Sequence, residues 1–353
     1  MVEPVKFHRE KVDDGLKCGV PPIARRRFLL ELTAALLVWA NPLHAQQAAR
    51  AYRIGVLRPT AVADASGGDI MFANLPPALR ELGYVEGQNL AIETRWAENK
   101  LERLPALARE LVDRKVDVII SIGAAATRAA KAATTSIPIL FFGNFDPVKL
   151  GFVASLAQPG SNVTGIVIAP DGTLTAKKVE LLAQAVPGSK RMAILLPPDP
   201  NVAPEQVPEA RKTATGLGID LFTVEVTDGD YRAAFNKIAE VRPQSLLVAS
   251  TTYFVRDRRQ IIDLAARHKL PAMYEWPDQV EDGGLMAYGP ASLRGIYGRI
   301  AAYVDRILKG TKPRDIPVEQ PAKVELVINL KTAKAIGLSI PQLLLLRADR
   351  LIE

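Results

Sequence analysis

Nine residues that could contact a small molecule stand directly after apolar runs that predict β-strands. They are Ala124, Ala125, Thr127, Asn144, Asp146, Asn201, Tyr253, Glu275 and Trp276. In open α/β sheets, ligands bind just outside the carboxyl ends of the strands. We therefore interpret these nine as candidate ligand-binding residues, and we predict no catalytic and no metal-binding residue among them.

A run of small residues from Gly123 to Thr127 opens a predicted helix and is the best candidate for binding an anion. Small side chains let a ligand approach the backbone N–H groups, and the helix dipole favours a carboxylate there. We expect the N–H groups of residues 124–127 and the Thr127 hydroxyl to hold the anionic end of a ligand. The alternative is an alanine-rich helix start that only packs closely on the sheet.

Acidic and aromatic side chains offer further contacts, each with a structural alternative. Asp146 precedes Pro147 and fits a helix N-cap as well as a ligand contact. Tyr253 and Trp276 present amphipathic surfaces to an apolar or aromatic ligand, although aromatic residues near strand ends also form the edges of cores. Glu275 is a hydrogen-bond acceptor for a ligand ammonium group.

The sequence lacks the motifs of most enzyme classes. It contains no Gly-x-Ser-x-Gly elbow, no phosphate-binding loop, no Gly-x-Gly-x-x-Gly and no His-Glu-x-x-His. One cysteine, Cys18, and one histidine beyond residue 45, His268, do not suffice for a Cys/His metal site. We predict no cofactor and no metal. Catalysis by carboxylates alone stays open, with Asp146, Asp228 and Glu275 as candidate acid and base.

Alternating apolar runs and helical stripes predict an α/β fold. Strands are predicted at 52–57, 90–94, 116–122, 137–142, 192–196, 221–226, 246–249, 271–274, 285–288 and 324–330. Between them, apolar residues recur at i, i+3, i+4 and i+7, as over 104–111. Near-continuous apolar strands are typical of parallel sheets with helices on both faces. A cluster of turn residues at 158–162 divides the chain, so we predict two doubly wound parallel-sheet lobes with a ligand cleft between them.

The first 45 residues have the pattern of an export signal. Arg25, Arg26 and Arg27 precede an apolar run over 28–40, and the small residue Ala45 stands at the expected cleavage position. The paired arginines resemble the twin-arginine type, but Ala24 stands where Ser or Thr is usual, so the Sec route is the alternative. We expect a periplasmic protein. The net charge of +7 is spread along the chain and predicts no nucleic-acid partner.

Four segments resemble a known family. They are Phe141 to Val148, Gln158 to Gly165, Gly283 to Gly289 and Glu325 to Lys334, within a resemblance that covers about residues 52–353. Pro-Gly-Ser-Asn-Val-Thr-Gly and Asn-Leu-Lys-Thr-Ala-Lys are its most specific stretches. Together they are similar to the ABC-type, tryptophan/tyrosine-type substrate-binding proteins. The chain departs from this family at 250–254 and after Tyr274, where the ligand is expected, so the identity of the ligand is not carried over.

The resemblance implies a type I periplasmic-binding fold, delivery of a small-molecule ligand to an ABC permease, and no catalysis. Its interleaved connectivity predicts lobe one at 50–164 plus 252–284 and lobe two at 165–251 plus 285–318, with 319–353 unassigned and three crossing segments. We expect a monomer whose lobes close over an amino acid or another small carboxylate with an apolar or aromatic body. A periplasmic carboxylate enzyme on the same scaffold is the alternative. A transcriptional regulator of this fold would need a DNA-binding segment where the export signal stands.

Overall fold

The computed structural model describes residues 51–61, 70–168, 173–199, 202–321 and 323–353. The predicted export signal, residues 1–45, and the candidate residue Asn201 lie outside the described residues. No helix in the described part of the chain is both long and apolar enough to cross a membrane.

Lobe one is built on a five-stranded, fully parallel sheet of order β2-β1-β3-β4-β5. Its strands are β1 (Tyr52–Arg58), β2 (Leu90–Trp96), β3 (Val118–Ile122), β4 (Ile139–Gly143) and β5 (Val163–Val167). The helices are α1 (Ile70–Glu81), α2 (Leu104–Asp113) and α3 (Gly123–Ala133), with α10 (Leu293–Leu308) returning later in the chain. Strands β3, β4 and β5 are buried at every position, because helices cover both faces of the sheet.

Lobe two is built on a seven-stranded sheet of order β12-β11-β10-β9-β8-β6-β7. The strands are β6 (Arg191–Leu196), β7 (Asp220–Glu225), β8 (Ser245–Val248), β9 (Ala272–Tyr274), β10 (Met286–Pro290), β11 (Val324–Asn329) and β12 (Arg350–Ile352). All neighbouring pairs are parallel except β10 with β11. The helices are α4 (Thr173–Ala185), α5 (Ala203–Gly216), α6 (Tyr231–Val241), α7 (Thr252–Arg256), α8 (Arg258–Arg267), α9 (Pro277–Glu281), α11 (Leu330–Ile336) and α12 (Gln342–Leu345).

The predicted α/β class with two doubly wound lobes is confirmed, and the helical stripes form the core as expected. Leu104, Leu107, Ala108 and Leu111 are all buried on one face of α2. The first five strands of each sheet follow the same order of connection, in which the second strand lies at the edge and the first beside it. Ligand sites in such sheets lie where the order reverses, at the carboxyl ends of the strands.

The expected division between the lobes was wrong for residues 252–284. Strand β9 pairs with β8 through Leu246–Ala272 and Leu247–Met273, so this segment belongs to lobe two. Helix α10, expected in lobe two with 285–318, packs against α1 and the sheet of lobe one. Apolar periodicity predicts that a strand or helix is buried but carries no information about which of two similar sheets it joins. The C-terminal segment, unassigned from the sequence, adds β11 and β12 to lobe two.

The chain passes between the lobes three times in the described structure. It leaves lobe one after Ile168 and returns between Pro290 and Leu293. Glu319 still pairs with β5 through backbone hydrogen bonds to Gly165 and Val167, after which the chain enters β11 of lobe two. Segments that connect two lobes are places where a hinge can form.

Candidate functional site

A cleft lies between the carboxyl ends of the strands of the two lobes. Its larger compartment, about 620 Å³, is lined on the lobe-one side mainly by apolar side chains and on the lobe-two side mainly by polar ones. Met71, Ile122, Phe142, Ile168, Leu293 and Tyr297 come from lobe one; Ser250, Thr251, Thr252, Arg256 and Glu275 come from lobe two.

A smaller compartment of about 400 Å³ adjoins the larger one. The two share Gly143 and Asn144 of lobe one and residues 250–252 of lobe two, so they form one continuous cleft. The smaller compartment adds Gly123 and Ala124, at the start of α3, and Asp199 and Tyr253 of lobe two. Pro59, Phe145 and Val202 add apolar surface to it.

Helix α3 brings its N-terminus to the smaller compartment, as the small residues after β3 predict. Gly123 adopts a positive φ of 84° at the strand-to-helix turn, a conformation that favours glycine. Ala124 lines the compartment, whereas Ala125 packs at the edge of the lobe-one core. No side chain caps the helix at Ile122. Its first N–H groups are therefore not satisfied by a cap, which is the usual condition of a helix start that binds an anion.

The role expected for Thr127 was wrong. Its side chain is fully buried, and its hydroxyl donates to the Gly123 carbonyl at 2.8 Å and lies 3.0 Å from the Ser121 hydroxyl. Both partners belong to the β3–α3 junction, so Thr127 stabilises the turn from inside. A threonine in the first turn of a helix can donate its hydroxyl to the carbonyl four residues earlier. From the sequence alone, this internal hydrogen bond cannot be told apart from a contact with a ligand.

Asn144 and Asp146 follow the same strand but have different surroundings. Asn144 lines both compartments of the cleft. The Asp146 carboxylate accepts hydrogen bonds at 2.9 Å from the backbone N–H groups of Val148 and Lys149. This is the capping alternative that the sequence offered. In the described part of the chain, Asp146 lines neither compartment of the cleft.

Glu275 lines the cleft and is held there by a buried lysine that the sequence analysis missed. Lys178, on α4, is only 1% exposed. Its Nζ donates to the Ser250 Oγ at 2.6 Å and lies 3.4 Å from the Glu275 Oε1. Burial lowers the pKa of Lys178 below its ordinary value, and the attraction of Glu275 opposes that effect without cancelling it. Glu275 is thus one half of an ion pair, not an isolated acceptor.

Two glutamines hold the backbone of the same wall. Gln206 makes a reciprocal pair with Ser250, accepting from its N–H and donating to its carbonyl at 2.8 Å in both cases. Gln279 accepts from the N–H groups of Glu275 and Trp276 at 3.2 and 3.0 Å. Both glutamines are buried on their helices. The sequence analysis considered only residues that follow strands, so it did not find them.

Trp276 and Tyr253, two of the candidate ligand-binding residues, both line the cleft. Trp276 follows a strand of lobe two, but its side chain packs in the core of lobe one with Leu293, Ile296 and Tyr297 and is 2% exposed. It therefore serves both as core and as a wall of the larger compartment. Tyr253 lines the smaller compartment from the first turn of α7.

Two arginines complete the cleft, and neither was predicted. Arg58, at the end of β1, is buried and lines the larger compartment. Arg256 is held by Asp257, which accepts from its Nε and Nη2 at 2.5 Å. Its Nη1 reaches across to lobe one, 3.3 Å from the Asn99 Oδ1 and 3.4 Å from the Ala61 carbonyl. Arg256 thus contacts both lobes and the cleft at once.

The acid and base pair required by the enzyme alternative does not assemble. Asp146 caps a turn, Glu275 is paired with Lys178, and Asp228 lies in an exposed loop after β7. In the described part of the chain no group of His, Cys, Asp and Glu side chains has an arrangement suited to a metal ion.

Comparison with known protein families gives a match over residues 65–352 to the ABC transporter substrate binding proteins. The chain belongs to this family. The match spans both lobes, so the cleft described above is the interlobe cleft of an ABC substrate-binding protein. The fold is the type I periplasmic-binding fold that the family resemblance implied.

Individual relatives agree with this assignment. A tyrosine-binding protein of Clostridioides difficile (strain R20291) is 26% identical over 262 residues, which are 74% of each chain. A conserved domain protein of Vibrio cholerae superimposes with a TM-score of 0.73 at 26% identity, covering 86% of this chain and all of that one. An ABC domain from Streptococcus pneumonia, solved with L-Trp, gives 0.72 at 23% identity, covering 85% and 99% of the two chains.

Proposed function

We propose that this ABC substrate-binding protein is the periplasmic solute-binding component of an importer. It binds one small molecule, an amino acid or a related small carboxylate with an apolar or aromatic body, and delivers it to an ABC permease without chemical change. The observation that carries the proposal is the continuous cleft lined by both lobes, with apolar side chains of lobe one facing polar side chains of lobe two.

The lining of the cleft matches an amphipathic, zwitterionic ligand. Apolar side chains such as Phe142, Ile168 and Leu293 favour the apolar body because burying it removes its surface from water. Arg58 and the N-terminus of α3 offer positive potential to a carboxylate. Asp199 offers a negative charge to an ammonium group. The relatives named for tyrosine binding and solved with L-Trp support an aromatic amino acid as the ligand.

Closure of the lobes over the ligand is part of the proposal. The chain passes between the lobes three times, and the walls of the cleft come from both lobes, which supports closure. The predicted export signal supports a periplasmic location, by the twin-arginine or the Sec route. We propose that the protein acts as a monomer.

Native mass spectrometry of protein purified without a ligand-removal step tests the proposal. We expect a monomer carrying one small molecule, which dissociates unchanged and rebinds in a 1:1 ratio after the protein is unfolded, dialysed and refolded. A variant with Asn144 replaced by Trp, which fills the junction of the two compartments, should carry none. Conversion of the bound molecule into a product on prolonged incubation would contradict the proposal and favour the enzyme alternative.

A further inference from the structure

Arg256 reaches from lobe two to a tight turn of lobe one, residues 97–100, here named the Asn99 turn. Its Nη1 donates to the Asn99 Oδ1 at 3.3 Å and to the Ala61 carbonyl at 3.4 Å. Asn99 follows β2 and Ala61 follows β1, whereas Arg256 ends α7. In the described part of the chain, neither Asn99 nor Ala61 lines a compartment of the cleft. These two bonds therefore join the lobes to each other from outside the ligand site.

The Asn99 turn has an unusual backbone that holds the asparagine in place. Glu98 and Asn99 have φ values of 55° and 63°, in the left-handed region that residues other than glycine seldom adopt and that costs free energy. The Asn99 N–H donates to the Pro59 carbonyl at 2.9 Å, and the Asn99 Oδ1 accepts from the Ala61 N–H at 3.3 Å. The carboxamide oxygen is thus fixed from within lobe one and has its second lone pair for the guanidinium.

The Asn99 turn lies at the edge of lobe one opposite to two of the three passages between the lobes. In the sheet order β2-β1-β3-β4-β5, Asn99 follows β2. One passage begins after Ile168, which follows β5, and another begins after Glu319, which pairs with β5. Four strand spacings separate the two edges, or about 19 Å. A rotation of the lobes by about 20° at the β5 edge would move Asn99 by about 7 Å relative to lobe two, which breaks both bonds of Arg256.

A hydrogen bond between the lobes at the remaining passage has a different position. The Asp278 Oδ2, on α9 of lobe two, accepts from the N–H of Leu293, the first residue of α10 in lobe one, at 3.3 Å. Leu293 directly ends the passage that begins after Pro290. Contacts beside a hinge change little when lobes rotate about it. Of these two sets of contacts, the one made by Arg256 is therefore the one that opening breaks.

We propose that Arg256 and the Asn99 turn form a latch, which sets the fraction of time that the interlobe cleft is closed and hence the rate at which a bound molecule leaves. The inference rests on the proposed function, because it takes closure of the lobes as the step that encloses the bound molecule. Asn99 is then a positioning residue, since it acts through Arg256 and through the relative position of the lobes.

Pulsed electron paramagnetic resonance tests the latch without any ligand. Nitroxide labels at Glu102→Cys in lobe one and Asp228→Cys in lobe two, both exposed positions, report the distance between the lobes. Cys18, the one cysteine of the chain, is replaced by Ser, and bound molecules are removed by unfolding, dialysis and refolding. Asn99→Gly removes the acceptor and keeps the turn, because glycine adopts a positive φ without strain. We expect it to lower the ratio of closed to open distances about 10-fold, as for the loss of a hydrogen bond to a charged group.

Two further variants show whether the effect belongs to the latch. Asn99→Asp keeps the acceptor and gives it a negative charge next to the guanidinium, so it should raise the ratio of closed to open distances. Glu98→Gly is the matched control, because it makes the same change at the neighbouring left-handed position, where the side chain pairs with Arg103 of lobe one. It should leave the distances as in the parent. Equal distances in the parent and Asn99→Gly, or an equal shift in Glu98→Gly, would overturn the inference.

The release of L-tryptophan from the saturated protein, followed by stopped-flow fluorescence after rapid dilution, measures the consequence for binding. Release should be about 10-fold faster from Asn99→Gly than from the parent, and unchanged in Glu98→Gly. An unchanged release rate in a variant whose distances have shifted would contradict the link between the latch and release. Failure of the parent to bind L-tryptophan would count against the aromatic amino acid of the proposed function, whereas the distances alone decide whether the latch exists.

Discussion

Lys178 determines the charge of the part of the cleft wall that contains Ser250 and Glu275. A lysine that is 1% exposed is costly to bury, and here its ammonium is balanced by Glu275 and bonded to Ser250, two residues that line the cleft. Because the two charges cancel, this part of the cleft wall has no net charge, whereas Glu275 alone would make it negative. Lys178 therefore positions two groups of the cleft without lining it.

We expect Lys178→Met to lower the free energy of unfolding by about 3–5 kcal/mol, because it leaves the carboxylate of Glu275 buried without its partner. The double variant Lys178→Met/Glu275→Gln, which has no charge at this position, should recover part of that loss. Urea unfolding followed by circular dichroism measures both. If the double variant were less stable than Lys178→Met, the pairing described here would be wrong.

The same lysine predicts a pH dependence of stability. Its pKa is lowered in the folded protein, whereas the unfolded chain has the ordinary value of 10.5. Between those two values the unfolded state binds the proton that the folded state has released. The contribution of Lys178 to the free energy of unfolding therefore rises as pH rises toward 10.5. Compared with the double variant, the parent should gain stability over this window in urea titrations. A constant difference across the window would contradict the assignment.

At the scale of elements, most strands and helices could be predicted from apolar periodicity, and the exceptions have physical reasons. Strand β5, Val163–Val167, includes Gly165, at which a Cβ would lie 2.3 Å from the Phe141 carbonyl, so glycine is required inside a strand where it usually indicates a turn. Strand β12 has only three residues and exposed side chains, which leaves no apolar pattern.

The sequence pointed to those residues of the cleft that follow strands. It did not point to the residues that reach the cleft wall from the buried faces of helices. Asn144, Tyr253, Glu275 and Trp276 follow strands and line the cleft. Lys178, Gln206 and Gln279 reach the same wall from α4, α5 and α9. Their contacts depend on how each helix packs on the sheet, which a single sequence does not specify. Arg58 is an exception, because it ends a predicted strand and a complete reading of strand ends would have included it.

The junction of β9 and β10 gives a test at the element scale. A Cβ at Gly289 of β10 would lie 2.1 Å from the Glu275 carbonyl oxygen and 3.0 Å from its Cγ. Gly289→Ala should lower the free energy of unfolding by about 1–3 kcal/mol and weaken ligand binding, because Glu275 must move in the cleft wall.

Gly298→Ala is the matched control for that variant. Gly298 lies within α10, and a Cβ there meets no atom within 4 Å. This substitution should raise the free energy of unfolding by about 0.5–1 kcal/mol through helix propensity and leave binding unchanged. The two variants are compared by thermal unfolding and by titration calorimetry. A Gly289→Ala variant as stable as the parent, with unchanged affinity, would show that the close approach does not constrain Glu275.

At the scale of the whole molecule, Arg256 connects the ligand site to the relative position of the lobes. It lines the larger compartment, is fixed in lobe two by Asp257, and bonds to Asn99 and Ala61 of lobe one. Asp257 also accepts a hydrogen bond from Tyr231, so the guanidinium has a rigid support. Bonds of this kind form only when the lobes are close together, and they therefore stabilise the arrangement described here against a more open one.

Small-angle X-ray scattering with and without ligand tests closure over a small molecule in the interlobe cleft most directly. The protein is unfolded, dialysed and refolded to remove bound molecules, and scattering is recorded before and after addition of the co-purified ligand at a concentration that calorimetry shows to be saturating. The account predicts a smaller radius of gyration in the saturated protein, because the ligand contacts both lobes and favours the arrangement in which they meet. An unchanged radius of gyration at saturation would contradict it.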